Sequence, residues 1–178
     1  MPGRLQINCE FITSEDRLLF KISEEGAKGC IEYRLWLTRR FLIMFLRAID
    51  NLLADDSASD MQVSPEAQDA MKKFKEEAAL AKADFSTSYE GGSADCTLFD
   101  DKPLLANRLK VSRNSKGKYV IGLFAKDKTG INLSVNIDLA HTLRKLLFNA
   151  ANKAAWNRPF TDGDGAFPAT AGKGKLDS

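Results

Sequence analysis

The chain has 178 residues, 44% apolar and 28% charged, with a net charge of +2; that is one ordinary globular domain, long enough to bury a core. Its longest apolar run, Phe41 to Leu46, falls far short of the ~20 residues of a membrane-spanning helix, so no membrane association is expected. Three cysteines (Cys9, Cys30 and Cys96) with no CxxC pair argue against a disulfide framework, and the opening Met-Pro-Gly-Arg-Leu-Gln has no apolar signal stretch, so a reducing, cytoplasmic setting is expected.

Leu5, Ile7, Cys9 and Phe11 alternate with Gln6, Asn8 and Glu10, the period of a half-buried strand. Thr13 to Asp16 make a turn, and Leu18, Phe20 and Ile22 then alternate with Leu19, Lys21 and Ser23. After a turn containing Gly26 and Gly29, Ile31, Tyr33, Leu35 and Leu37 face one way and Glu32, Arg34 and Trp36 the other. Thr38 is placed to cap a helix whose apolar positions Leu42, Phe45, Leu46, Ile49, Leu52 and Leu53 recur at helical spacing. Phe41, Ile43 and Met44 widen that stripe, so this helix should be covered on more than one side. Ser64-Pro65-Glu66 opens a second, alanine-rich helix that runs to about Ala83 along the surface. Cys96, Leu98 and Phe99 form a short apolar patch.

The first pattern then returns. Leu109 and Val111 alternate with Lys110 and Ser112, Asn114 to Gly117 make a turn, and Tyr119, Ile121 and Leu123 alternate with Val120, Gly122 and Phe124. After a turn at Asp127 to Gly130, a third strand runs from Ile131 to Ile137, and Asp138 is expected to cap a helix with Leu139, Leu143, Leu146, Leu147, Ala150 and Ala154 on its apolar face. Ile131 to Asp138 thus echoes Ile31 to Thr38, and the order strand, turn, strand, turn, strand, cap, helix occurs twice. The expected fold class is α+β: two pseudo-repeated antiparallel sheet-then-helix units packed together, plus an extra middle helix. Residues 1–160 would form one domain, with a first unit at 4–54, an acidic linker carrying the middle helix at 55–101, and a second unit at 102–156. Residues 161–178, rich in Gly, Ala and Thr, are expected to be a disordered tail.

Charge is unevenly spread. Residues 50–101 hold 4 Lys and Arg against 13 Asp and Glu, whereas residues 102–153 hold 11 against 2. Such asymmetry means either a face for polyanions or two blocks that neutralise one another. No catalytic residue, cofactor or metal is assigned. The single histidine, His141, has no cysteine or carboxylate at ligand spacing, the glycine turns do not open a helix, and the acid pairs Glu24-Glu25, Asp55-Asp56 and Asp100-Asp101 are neighbours in turns. The residues with chemical content lie on the polar strand faces. In the first unit they are Lys21, Arg34 and Trp36, with Arg39 and Arg40 at the helix start, where the helix dipole disfavours cations. In the second they are Lys110, Lys118, Phe124 and Lys126, beside Asn132, Ser134 and Asn136. Exposed rings stack bases, and Arg and Lys hold phosphates, so these nine residues are candidates for binding single-stranded nucleic acid, with Trp36 and Phe124 stacking. Trp36 equally suits a place beneath the middle helix or at a subunit contact.

The arrangement over residues 4–154 resembles that of the Whirly family and of Pur-alpha repeats, in which curved antiparallel sheets, each followed by a helix, bind single-stranded DNA or RNA. The resemblance lies in element order rather than in a motif; three strands per unit stand where Whirly has four, and residues 55–101 have no counterpart. It implies a non-enzymatic protein whose partner is single-stranded nucleic acid. The alternative is a protein-interaction or assembly module, in which the apolar first helix and Trp36 make a homo-oligomeric contact.

Overall fold

The computed structural model describes residues 5–26, 29–58, 64–85, 89 and 102–156. Strands β1 (Leu5–Ile12), β2 (Arg17–Gly26) and β3 (Gly29–Leu37) form an antiparallel meander, followed by helices α1 (Arg39–Ala58) and α2 (Pro65–Lys82). A two-residue strand, β4 (Leu104–Leu105), joins β3 in parallel and completes a sheet of order β1-β2-β3-β4. Strands β5 (Arg108–Arg113), β6 (Tyr119–Phe124) and β7 (Gly130–Val135) make a second antiparallel sheet, and α3 (Ile137–Lys153) follows it. The fold is α+β, with two sheet-then-helix units and an extra middle helix.

Alternation in the strands decides which face goes inward. Leu18, Phe20, Ile22, Leu35 and Leu37 from the first sheet and Tyr119, Ile121, Leu123, Ile131, Leu133 and Val135 from the second are all buried. Between them lie Phe41, Leu42, Phe45, Leu46, Ile49 and Leu52 of α1 and Ala140, Leu143, Leu147, Ala150 and Ala151 of α3, in one continuous core. Phe45 meets Phe20 and Phe41 edge-on, with ring centroids 5.9 and 6.4 Å apart. α3 packs along both α1 and β1, and α1 reaches β5, so each unit's helix touches the other unit's sheet. The wide apolar surface of α1 is therefore enclosed by the protein's own elements.

Local signals set the helix ends. Thr38 caps α1: its Oγ1 accepts from Phe41 N at 3.2 Å, and its carbonyl accepts from Leu42 N. Ser64 does the same for α2, ahead of Pro65 in the first turn, where a missing N–H costs nothing. α1 runs to Ala58, beyond the expected end of the first unit at 54. The second unit departs from the sequence expectation at its cap. β7 ends at Val135, and Asn136, not Asp138, caps α3 by accepting from Leu139 N at 2.8 Å. Asp138 lies inside the first turn, where its carboxylate complements the dipole and pairs with Lys82.

β4 was not signalled by any alternation. Ala106 N donates to Trp36 O at 3.0 Å and Asn107 N to Phe124 O at 2.8 Å, so the chain leaves β3 and joins β6 within two residues. The short apolar patch at Cys96 to Phe99 and the expected disordered tail at 161–178 lie outside the described residues. No helix among the described residues is long and apolar enough to cross a membrane.

Candidate nucleic-acid interface

The register of the second sheet fixes its outer face. Arg108, Phe124 and Gly130 form one row across β5, β6 and β7; Lys110, Gly122 and Asn132 form the next, and Ser112, Val120 and Ser134 a third. Asn114 and Lys118 extend the ladder through Asn114 N donating to Lys118 O at 2.8 Å. Lys126 follows in the β6–β7 turn, which Lys128 N closes by donating to Ala125 O at 3.1 Å. Along the strands this face extends about 20 Å, at 3.4 Å per residue. Arg108, Lys110, Ser112, Lys118, Lys126, Asn132 and Ser134 are exposed, and Phe124 is half-buried. No strand position on this face is acidic, and the acid of the bounding turns, Asp127, is engaged by Thr129 N at 3.0 Å. Among the described residues Arg108, Lys110, Lys118 and Lys126 have no carboxylate partner. Three of the expected residues, Lys110, Lys118 and Phe124, thus share one strand face, and Lys126 lies in the turn that bounds it.

Arg108 belongs to the same surface and was missed, because the alternation starting at Leu109 left it in the preceding loop. Its pairing with Phe124 becomes visible only once β5 and β6 are in register. Arg113, by contrast, belongs to the inner face. It stacks over the Tyr119 ring at 4.5 Å and donates to the Tyr119 hydroxyl.

The outer face of the first sheet has the same polarity pattern and a different fate. Lys21 is paired with Glu10, and Arg34 with Glu32. Tyr89 lies over this face: its hydroxyl donates to Glu32 Oε2 at 2.8 Å and its ring centroid is 5.9 Å from Lys21 Nζ. Glu32 is 1% exposed and Ser23 3%, although both occupy the polar side of the alternation. Burial, and then the Glu32 carboxylate, push the Tyr89 phenol well above its ordinary range. Trp36 is half-buried, with its carbonyl taken by Ala106 N. Arg39 and Arg40 are exposed at the start of α1, whose first turn has no acid. Lys21 and Arg34 therefore belong to a satisfied, partly covered network, whereas Trp36 shares their sheet face and Arg39 and Arg40 are exposed at the start of α1.

Burial, with a smaller push from Glu10, raises the Cys9 thiol to about 12; a thiol held protonated is a poor nucleophile. His141 is half-buried among Glu76, Arg144, Asp138 and Asp56, and burial lowers its pKa from the ordinary 6.5. Among the described residues no group of three or more His, Cys, Asp or Glu is arranged to hold a metal ion. Compared with family models, curated proteins and solved structures, the chain has no match.

Proposed function

We propose that the protein is a binding protein rather than an enzyme, and that it binds nucleic acid, single strands in preference, through the outer face of its second sheet. The carrying observation is the set of exposed cations Arg108, Lys110 and Lys118, with the half-buried Phe124, on a strand face with no acid, and exposed Lys126 in the turn that follows. Cations without carboxylate partners are free to replace the counterions of a phosphate chain, and an aromatic ring in their midst offers every base a stacking partner. The first sheet supports this assignment by contrast, since its cations are already engaged within the protein. The assembly reading rested on the apolar surface of α1 and on Trp36. Most of that helix surface packs in the core, and Trp36 is half-buried.

The test is fluorescence anisotropy of a labelled single-stranded oligonucleotide, titrated at about 50 mM and about 200 mM salt beside a duplex of equal length. The expected result is single-strand binding that weakens steeply with salt and exceeds duplex binding. Absence of binding at the lower salt, or affinity indifferent to salt, refutes the proposal.

A further inference from the structure

Granting the nucleic-acid reading of the second sheet, we propose that Phe124 and Asn132 form a subsite for one unpaired nucleobase, the ring stacking on the base and the amide reading its edge. The starting point is a pair of glycines inside strands, where glycine is ordinarily a liability. Gly122 and Gly130 do not have positive φ; among the described residues the glycines that do are Gly29 and Gly117. Backbone conformation is therefore not what requires them. Space is. A Cβ at Gly122 would collide with Phe124 Cε2 and lie 2.9 Å from Cζ, and a Cβ at Gly130 would collide first with the backbone oxygen of Leu123 and lie 2.6 Å from Phe124 Cδ1. The ring reaches from one glycine, on its own strand, to the other, across the ladder, and so lies over the sheet. A side chain at Gly122 would displace it. Phe124 is only half-buried, so part of the ring is open to solvent.

The surroundings of the ring are asymmetric. Asn132 faces Gly122 across the β6–β7 ladder, and its Oδ1 lies 2.9 Å from the same hypothetical Cβ, so the amide sits beside the Cε2–Cζ end of the ring. On the β5 side lie Lys110, opposite Gly122, and Arg108, opposite Phe124. A base stacked on the ring would thus meet a neutral group with both a donor and an acceptor on one side, and two cations for its flanking phosphates on the other. An amide can pair with a base edge through two hydrogen bonds. Bases within a duplex are stacked on each other and present no free face, so the subsite selects an unpaired base.

The experiment uses the full chain and oligonucleotides of one length: homopolymers of deoxyadenosine, deoxycytidine and thymidine, and an abasic strand with the same phosphates. Wild type is expected to bind the base-bearing strands more tightly than the abasic one. Phe124→Leu should weaken binding to base-bearing strands by roughly 5- to 100-fold, the worth of one stacked base, and leave abasic affinity unchanged. Phe124→Trp should keep or tighten base-bearing affinity, which separates loss of stacking from loss of fold. Asn132→Ala should alter the ranking among the homopolymers. If wild type binds none of the strands, the nucleic-acid reading itself falls. If wild type binds but does not distinguish abasic from base-bearing strands, or Phe124→Leu weakens both alike, or Asn132→Ala preserves the ranking, the subsite is overturned while the wider reading stands.

Discussion

The proposed interface makes an unequal claim on lysines that look alike in sequence. Lys21 and Lys110 both sit on the polar side of an alternating strand. Lys21 is paired with Glu10 and lies over the Tyr89 ring, whereas Lys110 is exposed and without a carboxylate partner among the described residues. A cation already neutralised inside the protein releases no counterion when a strand arrives. If Arg108, Lys110, Lys118 and Lys126 each neutralise one phosphate, the slope of log affinity against log salt should be about −3, at ~0.7 per contact for single strands. Raising salt fourfold should then cost about 50-fold in affinity. Lys110→Ala should bring the slope to about −2 and the fourfold-salt penalty to about 20-fold, whereas Lys21→Ala should leave the slope unchanged. Anisotropy titrations at four or more salt concentrations read this directly. The reasoning is refuted if Lys110→Ala keeps the wild-type slope, or if Lys21→Ala lowers it.

Two further predictions concern stability. Tyr89→Phe removes one of the two side-chain donors to the buried Glu32 carboxylate among the described residues while keeping the ring that Lys21 faces, so urea denaturation should show a loss of about 1–3 kcal/mol; an unchanged midpoint would mean that the hydroxyl does not hold Glu32. His141, with its pKa lowered from 6.5 in the folded state, is harder to protonate folded than unfolded. Its contribution is therefore fully present above pH 6.5 and is lost as pH falls through the lower folded value. The urea midpoint should decline from about pH 7 to about pH 5.5, above the main carboxylate range, and His141→Gln should flatten that decline; parallel profiles for the two proteins would contradict it.

Much of the architecture was legible because strand alternation and helical spacing are local properties. Leu18, Phe20 and Ile22 face the core as their spacing requires, and Thr38 caps α1 where a threonine ahead of an apolar helical run should. What stayed hidden depends on register and on contacts between distant segments. Asn136 looked like the next polar residue of a strand; only the end of pairing at Val135 frees it to cap α3. β4 is two residues long, too short for any period. Glu32 reads as a solvated strand residue, yet it is buried and meets the hydroxyl of Tyr89, 57 positions away. Gly122 read as one more outward strand position and Gly130 as the end of a turn; their closeness to the Phe124 ring appears only when β6 and β7 are paired.

The uneven charge along the chain admitted two explanations, and the ion pairs bear on the choice. If the acidic block served to neutralise the basic one, its carboxylates should meet the cations of the second sheet. Among the described residues Asp56 instead pairs with Lys75, within the same block, and Asp50 with Arg144, on the helix behind the sheet. The acid that pairs with the block's Lys82 is Asp138, again on α3. Neutralisation in these pairs is spent on helix-to-helix contacts, which fix α1, α2 and α3 against one another. The outer face of the second sheet is left with an uncompensated positive charge among the described residues. One fold used twice therefore supports two different surfaces. In the first copy Glu10 and Glu32 stand beside Lys21 and Arg34 and close the charge account within the sheet. In the second, the positions around Lys110 and Lys118 hold Ser112, Asn132 and Ser134, neutral groups that can hydrogen-bond a ligand without competing for its cations.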